Sequence, residues 1–251
     1  MILYVIMNLV RFCDLDGTLI HSHRIEMENG VLVERYKEKP LSYMDNKVYE
    51  RLQNVPKESF IPVTSRTIEQ YQRISLYRDG GIPEYALLDN GGVLLVNEEE
   101  DIQWRQEMKQ YMSAELAMYN DIIAEAGVFG ETKLQDDLVI FIKPYTEEKR
   151  RLLEEFIQKC DGIQTFQHRN KVYVCSGRLT KGYAIKKFMN KYGISDSVVA
   201  GDSEIDLTML EYGSFGFFPF ELKRIIDTKY LCKVSFVEKL DLADSILNYE
   251  M

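Results

Sequence analysis

The residues with the most chemistry to offer are two aspartates one residue apart, in the run Phe12-Cys13-Asp14-Leu15-Asp16-Gly17-Thr18-Leu19. An apolar stretch precedes them and Gly-Thr follows. Carboxylates beside a buried strand are costly unless a charge meets them. A divalent cation meets that need, because hard metals take oxygen ligands. An EF-hand does not fit. Its fifth, sixth and twelfth positions, counted from Asp14, are Thr18, Leu19 and Ile25, where a ligand, Gly and Glu are required. Further along come Thr64-Ser65-Arg66, Lys181 and Gly201-Asp202-Ser203-Glu204-Ile205-Asp206. The chemistry that unites these groups is phosphoryl transfer through an aspartyl-phosphate.

In that chemistry Asp14 is the nucleophile. Its charge repels an incoming phosphate dianion, and Mg2+ held by Asp14, the Asp16 backbone carbonyl and Asp202 would offset the repulsion. Thr64 would donate a hydrogen bond to the transferring group. Lys181 would place a positive charge against its oxygens and against Asp14. Asp16 would protonate the leaving oxygen and then deprotonate the attacking water. Asp206 lies one helical turn past Asp202, so it would reach the metal through water or orient Lys181. A lysine that opens a helix is electrostatically unfavourable, which points to function at Lys181. Ser65, Arg66, Asn90 and Arg178 are candidates for contact with substrate. For Arg66 a pairing with a core carboxylate is the other reading.

These groups must be brought together by strands. Val5–Cys13 reads as a buried strand ending at Asp14, Phe60–Val63 as one ending at Thr64, and Val198–Ala200 as one ending at Gly201-Asp202. In an open parallel sheet the binding crevice lies beyond the carboxyl ends of the strands, so all of them converge there. His21–Pro40 reads as a polar loop or hairpin and Asp45–Leu52 as a short helix. Helical spacing runs through Ile68, Tyr71 and Ile74, closed by Gly80-Gly81. Tyr85–Leu88 and Val93–Val96 read as strands around Asp89-Asn90-Gly91-Gly92. From Glu98 the character changes. One long helix from Trp104 to Ala126, a strand Leu138–Ile142, a helix through Leu152–Cys160 and strands near Ile163–Gln167 and Lys171–Cys175 form an α+β block. Then the βα rhythm returns. A helix through Ile185–Tyr192 is capped by Gly193, another passes Leu207 and Leu210, Phe215–Phe218 is a strand and Asp241–Tyr249 a helix. The expected fold is α/β: a Rossmann-like parallel-sheet core, 1–97 and 179–251, with an inserted α+β cap, 98–178. The cap would close over the crevice and choose the substrate. Lys143, His168 and Arg178 are where specificity would lie.

The 251 residues carry a formal charge of -9, which argues against a nucleic-acid surface. Cys13, Cys160, Cys175 and Cys232 form no disulfide framework, as in a cytoplasmic protein. Met1–Val10 is apolar but lacks a basic start and a cleavage site, and it is too short to span a bilayer, so no membrane is expected. Met7 is an alternative start. A monomer or a homodimer is expected.

Asp14-Leu15-Asp16-Gly17-Thr18, Thr64-Ser65-Arg66, Lys181 and Gly201–Asp206 resemble the four motifs of the haloacid dehalogenase superfamily, in order and across the whole core. The long insertion and Asn90-Gly91 resemble its Cof-type branch, which is similar to sucrose-phosphate phosphatases. The resemblance implies a magnesium-dependent phosphatase acting on a small phosphorylated metabolite, mostly sugar phosphates. Ser65 stands where Gly is usual and Ile205 where Asn is common; neither removes a catalytic group. A phosphosugar mutase would use the same acid–base Asp16. A non-catalytic phosphometabolite-binding module would need none of these groups intact. In P-type ATPases the residue two past the nucleophile is Thr, whereas here it is Asp16.

Overall fold

A computed structural model of the chain describes residues 9–76, 82–113, 116–135, 138–160, 162–168 and 170–250. The side chains of 112–119, 135 and 166–168, His168 among them, lie outside the described residues. So do the alternative start at Met7, the first part of the Val5–Cys13 strand and the Gly80-Gly81 helix stop. The chain divides into two compact units, Met1–Asp101 with Thr180–Met251, and Ile102–Leu179.

In the first unit, five strands form a parallel sheet in the order Val234–Val237, Phe215–Pro219, Ser197–Ala200, Val10–Cys13, Phe60–Pro62. Val10, Phe12 and Cys13 have no solvent exposure, as a strand covered on both faces requires. The two-residue period sends their side chains to opposite faces. Phe12 meets Phe188 of the helix Lys181–Tyr192 edge-on, with ring centroids 5.8 Å apart. Cys13 joins an apolar cluster with Leu52, Leu242 and Ile246, from the helices Asn46–Leu52 and Leu242–Asn248. The chain leaves the central strand towards Phe60–Pro62 and returns on its other side through Ser197–Ala200. That reversal makes the carboxyl ends of Val10–Cys13 and Ser197–Ala200 the switch point where doubly wound sheets bind ligands.

Two small antiparallel sheets flank these connections. His21–Ser22, Lys39–Asp45 and Gly30–Tyr36 form one; Tyr85–Leu88, Val93–Val96 and Glu99–Glu100 form the other. Both contain a two-residue turn with positive φ at each residue, Lys37 (48°) and Glu38 (63°), and Asn97 (51°) and Glu98 (67°). Such turns favour Asn-Gly or Asp-Gly, so Lys37-Glu38 gave no hairpin signal and left the segment open between loop and hairpin. Glu98–Asp101 lies in the first unit, with Glu99–Glu100 paired back onto Val93–Val96. The helix after Arg66 is one turn, Ile68–Tyr71, opened by a capping box of Thr67 and Gln70. It stops before Ile74, which bridges to Glu34.

In the second unit, strands Ile163–His168, Lys171–Ser176, Val139–Pro144 and Gly130–Gln135 form an antiparallel sheet in that order. Helix Glu147–Ile157 buries Leu153 and Ile157. Residues 102–113 and 116–126 are helical, along the stretch where the spacing predicts one long helix, and 114–115 lie outside the described residues. Gly130–Gln135 and Val234–Val237 were not anticipated. The first is mostly polar, and the second is a half-buried edge strand with no alternating pattern. The fold is α/β, and among the described residues no helix is long and apolar enough to cross a membrane.

Candidate active site

Asp14 directly follows the central strand, its N–H bonded to the Ala200 carbonyl at 2.9 Å. It is buried. Lys181 Nζ donates to Asp14 Oδ1 at 2.5 Å and to Asp206 Oδ1 at 2.5 Å, while the Thr18 hydroxyl donates to Asp14 Oδ2 at 3.2 Å. Lys181 opens its helix because Thr180 caps it, the Thr180 hydroxyl accepting from Tyr183 N–H at 3.0 Å. Only 2% of Lys181 is exposed. An ammonium at a helix start is held there by two buried carboxylates, which outweigh the local dipole. Burial works to lower the Lys181 pKa, but Asp14 and Asp206 hold it above its ordinary value.

Asp206 has both oxygens committed. Oδ1 takes Lys181, and Oδ2 accepts from the N–H of Asp202 (3.1 Å), the N–H of Ser203 (2.9 Å) and the Ser203 hydroxyl (2.6 Å). Asp206 thus caps the 3-10 helix Glu204–Glu211 and holds Lys181. Asp202 pairs with Lys239, whose side chain is 46% exposed. Burial pushes the Asp14 and Asp202 carboxyls up from their ordinary values, against the pull of their lysines.

One oxygen from each of Asp14, Asp202 and Asp206 lies within 4.8 Å of the others. The donors are all oxygen, and three carboxylates outnumber the two lysines beside them. That donor set and its surplus negative charge fit a hard divalent cation. Asp14 and Asp202 are the carboxylates with coordination to spare, since Asp206 is saturated.

The approach of Asp202 to the aspartate loop depends on Gly17. Its φ is +87°, and a Cβ there would sit 2.3 Å from Asp202 Oδ2. Gly17→Ala is expected to cost about 1–3 kcal/mol of stability from backbone strain and to weaken binding of a divalent cation between Asp14 and Asp202. Urea unfolding and a divalent-cation titration check both effects.

Asp16 lies two residues past Asp14, and its side chain is 55% exposed. It forms a two-pronged ion pair with Arg66, Nε–Oδ2 2.6 Å and Nη2–Oδ1 2.7 Å. Arg66 also grips Glu34, Nη1–Oε1 2.9 Å and Nη2–Oε2 3.0 Å. Of the two readings of Arg66, this is the carboxylate pairing. Thr64 is buried, and its hydroxyl oxygen accepts the Arg66 N–H at 3.2 Å, which leaves the hydroxyl proton to donate elsewhere. Asn90, at φ 56°, gives its N–H to the Thr64 carbonyl at 2.9 Å. Its buried Oδ1 has no partner among the described residues. Ser65 is exposed. Arg178 lies in the second unit, exposed, its guanidinium 5.7 Å from the Tyr111 ring centroid.

Sequence reasoning missed Glu34, Lys239 and Thr18. Thr18 had a signal, four residues past Asp14 in the same loop. Glu34 and Lys239 come from a hairpin and an edge connection that no local pattern ties to the site.

With this geometry in place, comparison with known proteins identifies the class. The chain belongs to the haloacid dehalogenase-like hydrolases, whose family model matches residues 25–218. The match takes in Thr64, Lys181, Asp202 and Asp206 and begins after Asp14 and Asp16. Among solved structures, the sucrose-phosphatase of Synechocystis, in complex with sucrose and phosphate, is 18% identical at a TM-score of 0.63, covering 95% of this chain and 96% of its own. Trehalose-6-phosphate phosphatase of Aspergillus fumigatus is 12% identical at 0.54, covering 96% and 91%. A haloacid dehalogenase-like hydrolase of Bacteroides thetaiotaomicron is 12% identical at 0.56, covering 94% and 98%. At these identities the likeness is one of fold. No curated protein matches the chain in sequence.

Proposed function

We propose that the chain is a magnesium-dependent phosphatase of small phosphorylated metabolites, working through an aspartyl-phosphate at Asp14. The observation that carries this is the buried Asp14 carboxylate gripped by Lys181, with a second carboxylate, Asp16, two residues on. Asp14, the Asp16 backbone carbonyl and Asp202 would hold the ion, whose charge offsets the repulsion between Asp14 and a phosphate dianion.

Asp14 attacks phosphorus as the bond to the leaving oxygen breaks, and Asp16, holding Arg66 through one oxygen and carrying a proton on the other, gives that proton to the leaving oxygen. The products of this half are the acyl phosphate on Asp14, the free alcohol and an Asp16 carboxylate. Asp16 then takes a proton from water, which attacks phosphorus and releases inorganic phosphate with Asp14 regenerated. Lys181 and the Thr64 hydroxyl hold the transferring oxygens, where preorganised donors act on developing charge. Asp206 keeps Lys181 aimed at Asp14.

A sugar phosphate is the substrate class we assign, in line with the sucrose and trehalose-6-phosphate phosphatases that share the fold. The second unit, inserted in sequence between Thr64 and Lys181, is assigned substrate selection, with Arg178 as its first residue to vary. The reading predicts hydrolysis of p-nitrophenyl phosphate in magnesium and its loss on chelation. A panel of phosphorylated metabolites then ranks substrates by kcat/KM. If no phosphoester in the panel is turned over with magnesium present, the phosphatase reading is wrong.

A further inference from the structure

Glu34 is a carboxylate whose side chain has no solvent exposure, set in the hairpin between Gly30 and Asp45. It lies at an irregularity of that hairpin, where the pairing register shifts on either side of it. Four donor atoms converge on it: Arg66 Nη1 and Nη2, Arg73 Nε at 3.2 Å and the Ser42 hydroxyl at 2.6 Å. Burial alone would raise its pKa, but the hydrogen bonds from Arg66 and Ser42 bring it below the ordinary carboxylate value. Two arginines and a hydroxyl thus hold it as an anion inside the fold.

Arg66 is saturated. Nε and Nη2 serve Asp16, Nη1 and Nη2 serve Glu34, and Nη1 also reaches the Gln70 carbonyl at 3.2 Å. All five guanidinium N–H groups are used, so none remains for a phosphate. A planar guanidinium held along two edges by two carboxylates has one orientation. The Asp16 side chain is 55% exposed, and this bridge is what fixes it.

We infer that Glu34 is a positioning residue for proton transfer. It sets the plane of Arg66, and Arg66 sets the rotamer from which Asp16 reaches the leaving oxygen. This rests on the phosphatase reading above, and it ties the hairpin to the chemistry although no atom of Glu34 touches substrate.

The test separates positioning from mere stability by the basicity of the leaving group. Phenyl phosphate expels a phenolate whose conjugate acid has a pKa of about 10 and needs the proton. p-Nitrophenyl phosphate expels a much weaker base and needs it little. In Glu34→Gln, kcat/KM for phenyl phosphate is expected to fall about 100-fold, as for a displaced catalytic group, and that for p-nitrophenyl phosphate less than about 5-fold. Arg66→Lys should give the same signature, and the double variant should be no worse than either single one. An equal fall for both esters in either variant, or none, overturns the inference. If Glu34→Gln does not fold, Arg66→Lys decides alone by the same criterion. Wild-type protein inert towards both esters would instead sink the phosphatase reading.

Discussion

Asp14→Asn is expected to lower turnover of p-nitrophenyl phosphate by about 10^4-fold while leaving the protein folded. The loss is large because the amide cannot form the acyl phosphate, and nothing else in the site can replace a nucleophile. The fold survives because the swap is isosteric and Lys181 keeps Asp206 as partner at 2.5 Å. Burial already disfavours the Asp14 anion, so neutralising it removes a desolvation cost along with one ion pair. Steady-state rates and thermal unfolding, measured on the same preparation, check the two halves. A fall in rate that tracks unfolded protein would point to a structural aspartate.

Lys181→Met is expected to damage both activity and stability. The lysine lies between Asp14 and Asp206, and all three side chains are at least nine-tenths buried. Removing it strands two carboxylates against each other in the interior. Breaking a buried pair from one side costs about 3–5 kcal/mol, because the remaining charge loses its partner and not its desolvation. Urea unfolding measures that cost. Pairing the change with Asp206→Asn should recover most of the stability, since one stranded charge goes, and none of the activity, since the phosphoryl oxygens still lack their cation. Magnesium should stabilise Lys181→Met more than the wild type by supplying the missing positive charge. A single variant as stable as the wild type would mean that the two carboxylates are protonated when buried.

How much of this was readable in the sequence depends on whether a residue's place is set locally. Asp14, Thr64 and Asp202 each follow a short apolar run, and Lys181 follows Thr180, a capping residue. Strand ends and helix starts are local facts, and the parallel topology then gathers them at one edge without further information. The same logic gives the α/β core. Glu34 escaped it. Its hairpin turns on Lys37 and Glu38, which adopt positive φ without the glycine that announces such a turn. Its partner Arg66 is 32 residues away, so only the tertiary structure joins them. Lys239 reaches Asp202 from the connection after the edge strand Val234–Val237, for which the sequence offers no alternating pattern.

In the proposed reaction phosphorus is bonded, for part of each cycle, to the carboxylate of Asp14. Acid quenching of the enzyme during turnover of a 32P-labelled phosphoester in magnesium, followed by digestion and mapping, tests it most directly. Label is expected on the peptide carrying Asp14, released by hydroxylamine as an acyl phosphate is, and absent from Asp14→Asn. Label on a different residue, or turnover undiminished in Asp14→Asn, would contradict it.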